Sequence, residues 1–132
     1  MIKKEWNENT APGAPLRENV CDLKYLNDMM GGKNHLIKGI IDAFLTQVPE
    51  ELQAIDNAIT KTNFVGIKSF AHTMKSSVSI MGITILAPIL QEMENLAAKA
   101  IDMEKIKVLY SQLLIICKKA MAEIESEKHI YS

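Results

Sequence analysis

A chain of 132 residues, 48% apolar and 23% charged, has enough material for one hydrophobic core and needs neither metal nor disulfide to close it. Its 15 basic and 16 acidic side chains leave a formal net charge of −1, which argues against nucleic acid or an anionic membrane as the partner. Two cysteines outside any CxxC pair, no signal-like N-terminus and no apolar run of about 18 residues argue against a disulfide framework, a zinc ribbon and a membrane span, so a cytoplasmic location is expected.

Residues 1–19 are polar, carry Pro12, Gly13 and Pro15, and show no hydrophobic period. They read as a flexible tail, with Trp6 or Leu16 as the side chains able to dock. Residues 20–128 read as one helical domain and residues 129–132 as a short polar tail. Asp22 is placed to cap a short helix from Leu23 to Met30, ended by Gly31 and Gly32. The apolar series Leu36, Ile37, Ile40, Ile41, Phe44, Leu45, Val48, Leu52, Ile55 and Ile59 advances in steps of three and four, the helical period. Pro49 interrupts it, giving either one long kinked helix or two helices, the second opened by Pro49.

Asn63 is the expected N-cap of the next helix, Phe64 to about Met81, and Gly82 marks a turn. A further helix follows from about Thr84 to Lys99, in which Pro88 falls near the first turn, where a missing N–H costs little. Asp102 caps the last helix, to about Glu127, with Ile106, Leu109, Leu113, Ile116, Ala120 and Ile124 along one side. No useful strand alternation occurs. The fold class is all-α: an antiparallel four-helix bundle with an additional short N-terminal helix.

On a wheel of about 100° per residue, Phe64, Ile67, Ala71, Met74, Val78 and Met81 form one apolar stripe, and His72 points roughly 130° away from its centre, towards solvent. Lys68, Ser69, Lys75, Ser76 and Ser79 share that outer face. Small hydroxyl side chains leave room for another protein to approach the imidazole, and lysines one turn away offset the charge of a phosphoryl group placed on the ring. Near neutral pH an imidazole is a nucleophile through one nitrogen while the other donates a hydrogen bond.

Spacing supplies a partner for that second nitrogen. If the chain turns at about residue 83, His72 lies eleven positions before it and Glu94 eleven after. Both then stand roughly 16 Å from the turn, at about 1.5 Å per residue. Glu94 flanks the apolar stripe of Leu86, Leu90, Met93 and Ala97, which puts it at the seam between helices. A carboxylate there accepts the Nδ1 proton and leaves Nε2 free. The blander reading of Glu94 is a surface ion pair at that seam.

The run Ala71-His72-Thr73-Met74-Lys75-Ser76-Ser77, with Gly82 ten residues after the histidine and Met93-Glu94 later, resembles the signature of histidine-containing phosphotransfer (HPt) domains. The resemblance covers roughly residues 22 to 126. It implies that His72 is the phosphorylated residue, Lys75 the charge-balancing lysine and Glu94 the residue that orients the ring. Ser76 stands where the family usually has glycine. The resemblance further implies a phosphorelay intermediate, not itself an enzyme, that exchanges a phosphoryl group with aspartates of response-regulator receiver domains. A hybrid sensor histidine kinase is a further candidate partner, and the Mg²⁺ belongs to the receiver. No cofactor, nucleic acid or membrane partner is implied, and a monomer is expected.

Elsewhere the residues support less specific roles. Lys68 taken alone is a solvated lysine. His35 follows a Gly-Gly turn and His129 lies in the terminal tail; no two histidines stand at i, i+4, so no metal ligation is expected. Leu23, Leu26, Met29, Met30 and Ile37 are candidates for an apolar docking patch beside His72. Two rival functions stand against the relay: a helical adaptor whose histidine is not phosphorylated, and a histidine-kinase fragment. The second is disfavoured, since Thr73 rather than an acid follows His72 and only about sixty residues remain, without a nucleotide-binding loop.

Overall fold

The computed structural model describes residues 21–128, which form five α-helices: α1 Leu23–Met29, α2 Asn34–Thr60, α3 Phe64–Ile80, α4 Leu86–Lys99 and α5 Met103–Glu127. The sequence expectations for residues 1–19 and 129–132, including His129, lie outside the described residues. Helices α2 to α5 pack in a ring, α2 on α3, α3 on α4, α4 on α5 and α5 back on α2, while α1 lies against α2. Short connections between ring neighbours make the arrangement an antiparallel four-helix bundle with a short N-terminal helix.

The helix starts are set by side chains that satisfy otherwise orphaned N–H groups. Asp22, Asn63 and Asp102 each accept from the backbone N–H three residues on, at Tyr25, Gly66 and Lys105. Helix α2 passes Pro49 without interruption, so of the two sequence readings the single long helix is correct. Proline there removes only the bond to the Leu45 carbonyl, and its side chain is exposed. Pro88 is the third residue of α4, where a proline nitrogen forfeits no intrahelical bond.

Each helix contributes a stripe at helical spacing. Ile41, Phe44, Val48, Leu52 and Ile55 of α2 meet Ile67, Ala71, Met74 and Val78 of α3, Leu86, Leu90 and Met93 of α4, and Ile106, Leu113 and Ile124 of α5. The expected α5 stripe is shifted at one point: Cys117 is fully buried and Ile116 only half-buried. Burial pushes the Cys117 thiol up to about 12, so it serves as a small apolar filler. Both cysteines are free.

The α3–α4 turn also receives the start of the described chain. Asp22 N–H donates to the Met81 carbonyl at 3.1 Å, across Gly82, whose φ is +68°. A Cβ on Gly82 would stand 2.6 Å from the Asp22 Cβ. Glycine is therefore required twice at this position, for its backbone conformation and for the close crossing. Cys21 N–H donates to Glu123 Oε1 at 3.1 Å, tying the same segment to α5. Among the described residues no helix is long and apolar enough to cross a membrane.

Candidate functional site

His72 lies in the middle of α3, its core-facing neighbours Ala71 and Met74 fully buried and its own side chain 69% exposed. Ring Nδ1 is 3.0 Å from Glu94 Oε2 on α4. The equal distances of the two residues from the turn thus bring them to one level across the seam. Glu94 is 16% exposed, and its carboxyl is held below the usual range, chiefly by the bond from Lys75, with burial opposing it and the contact with His72 assisting. An ionised carboxylate only accepts, so Nδ1 carries the hydrogen and Nε2 of the neutral ring carries the lone pair.

Lys75, one turn further along α3, completes the group. Its ammonium lies 2.8 Å from Glu94 Oε1 and donates to Gln91 Oε1, also at 2.8 Å. Glu94 is thereby divided, one oxygen facing the imidazole and the other the ammonium. The geometry favours the ring-anchoring reading of Glu94 over a plain surface ion pair, because the carboxylate is largely buried and touches both groups.

The four residues of the expected docking face, Lys68, Ser69, Ser76 and Ser79, are all exposed on α3. Val65, Lys68, Ser69, Thr73 and Glu94 line a shallow groove with His72. The expected apolar patch needs correction. Leu26 and Ile37 are fully buried, and Leu23 and Met30 are half-buried against the core. Helix α1 is only seven residues long and holds on by its apolar side, so those side chains anchor it. Of the expected patch only Met29 is exposed, and the other exposed apolar side chains nearby in sequence are Tyr25 and Leu36.

Two residues of the site are missed by reading the sequence alone. Val65 is 79% exposed in the groove, and its signal was present, since seven residues before His72 is two turns on the same face. Gln91 carries no such signal within its own helix, because its role depends on which helix faces α4. Among the described residues no cluster of three or more His, Cys, Asp or Glu side chains is placed to hold a metal ion.

His72 is thus an exposed imidazole in a helical bundle, its inner nitrogen held by a carboxylate of the neighbouring helix, an arrangement that can present a nucleophilic nitrogen to solvent. The chain belongs to the Hpt domain family, whose model matches residues 39–126. The crystal structure of histidine-containing phosphotransfer protein B (HptB) from Pseudomonas aeruginosa PAO1 is similar in fold, with a TM-score of 0.79 over 88% of this chain and 100% of that one. Identity between the two is 19%, so this likeness concerns the fold alone. A search of curated proteins found no match.

Proposed function

We propose that this chain is a phosphorelay intermediate that accepts a phosphoryl group on His72 from a receiver-domain aspartate and passes it to another receiver. The observation that carries the reading is the 3.0 Å contact of Nδ1 with Glu94 on a ring that is otherwise open to solvent. In the forward step the Nε2 lone pair attacks the phosphorus in line with the aspartyl oxygen. An N–P bond forms, the P–O bond breaks, and the aspartate leaves with the electron pair. No proton moves, because Nδ1 keeps its hydrogen; the ring becomes cationic and Glu94 supplies the opposing charge. Lys75 stands one turn away to meet the phosphoryl oxygens. The reverse sequence delivers the group to the next receiver, whose own Mg²⁺ site serves that step.

Receiver domains, including one attached to a hybrid sensor kinase, are the partners this reading calls for, and Lys68, Ser69, Ser76 and Ser79 form the approach surface. The compact serines are what permits a receiver's aspartate to reach Nε2. The test is incubation with phosphorylated receivers. Acid-labile phosphate is expected on the wild-type chain and absent from His72→Ala. Lack of label on the wild type with every receiver of the source organism would leave a helical adaptor as the better description.

A further inference from the structure

The site contains a residue whose contacts the transfer step does not by itself explain. Gln91 is exposed, yet its side chain is committed at both ends. Its Oε1 accepts from Lys75 Nζ at 2.8 Å and its Nε2 donates to Asn95 Oδ1 at 2.9 Å. The second bond orients the amide, since the N–H₂ end is occupied by Asn95 and the carbonyl is left facing α3. Gln91, Glu94 and Asn95 are neighbours on one side of α4, spaced three and four apart. The result is a continuous chain of polar contacts: Asn95, Gln91, Lys75, Glu94, His72.

We propose that Gln91 is a positioning residue for phosphoryl transfer: it holds the Lys75 ammonium at a fixed point beside Glu94, and through it fixes the carboxylate that orients His72. This inference rests on the reading of His72 as the phosphoryl acceptor. A lysine tethered to one carboxylate samples many rotamers of its four-carbon stem; a second acceptor one turn away on the same helix confines it to one. Being neutral, Gln91 adds no negative charge where the phosphoryl group must arrive, as a second carboxylate would. Lys75 Nζ and His72 Nδ1 hold opposite oxygens of one carboxylate, so the position of the ammonium bears on how Glu94 meets the ring. The third N–H of the ammonium is then directed by the two bonds already made, which leaves it for a phosphoryl oxygen.

The test uses the full chain with Gln91→Met, which keeps length and flexibility but removes the acceptor. Two measurements are made: the rate of His72 phosphorylation by phosphoramidate, a small donor that needs no partner protein, and the ¹H–¹⁵N signal of the Lys75 ammonium. Gln91→Met should lose the Lys75 signal to solvent exchange and slow phosphorylation about 2- to 10-fold, the span set by one hydrogen bond. In a Lys75→Ala background the same substitution should slow it no further. A wild-type rate and signal in Gln91→Met would overturn the proposal, as would an undiminished effect in the Lys75→Ala background. Failure of the underlying reading is distinct: phosphate would not appear on His72 of the wild type, while the ammonium signal would still decide whether Gln91 holds Lys75.

Discussion

Replacing Gly82 by alanine should destabilise the bundle by about 1.5–3.5 kcal/mol, the sum of two separable costs. At φ +68° an alanine Cβ is in the left-handed region, which costs about 1–2 kcal/mol. The new atom would also stand 2.6 Å from the Asp22 Cβ and 3.1 Å from the Asp22 backbone N and O. None of these is the end of a flexible side chain, so the strand of chain entering α1 must shift. Shifting it strains the bond from Asp22 N–H to the Met81 carbonyl, worth about 0.5–1.5 kcal/mol net. Urea unfolding followed by circular dichroism measures the sum, and the melting temperature should fall by roughly 6–15 °C. In an Asp22→Gly background, which removes the opposing Cβ, the penalty should shrink by about 1 kcal/mol. A loss below about 0.5 kcal/mol, or one of equal size in both backgrounds, would refute the reasoning.

Ser76→Arg should reduce transfer from a phosphorylated receiver at least about tenfold, by bulk one turn from His72, while urea stability stays within about 0.5 kcal/mol because the position is exposed. Transfer at the wild-type rate would remove Ser76 from the docking face. Glu51 offers a pH signature. Burial raises its carboxyl above the usual range, against an opposing hydrogen bond from Ser77 Oγ at 3.1 Å, and its Oε1 is buried without a partner. The folded chain therefore holds a proton that the unfolded chain has released, in the window between the ordinary carboxyl value and the raised one. Glu51's contribution falls as pH rises through that window, and the penalty is complete above it. Glu51→Gln should accordingly flatten the stability profile there and be neutral or stabilising at neutral pH; an unchanged profile would refute the assignment.

Much of the fold was legible in the chain because helices are local objects. Asp22, Asn63 and Asp102 announce helix starts within three residues, and steps of three and four mark the buried faces of α2 to α5 without reference to any other element. His72 is pointed outward by the same arithmetic. Its level with Glu94 follows because a short turn forces two consecutive helices to run back side by side.

What the tertiary structure alone decided concerns groups whose fate depends on distant chain. Leu26 and Ile37 look available for docking until α1 settles on the bundle, tied by Asp22 to Met81 and by Cys21 to Glu123. Pro49 is ambiguous in sequence because a lost hydrogen bond can either break a helix or be outweighed by packing on both sides of it, and here Val48 and Leu52 keep α2 whole. Gln91 and Glu51 acquire their contacts only when α4 and α2 are laid against α3. Periodicity and capping act over a few residues and are written in the sequence; hydrogen bonds and burial between elements far apart in the chain exist only after those elements have docked.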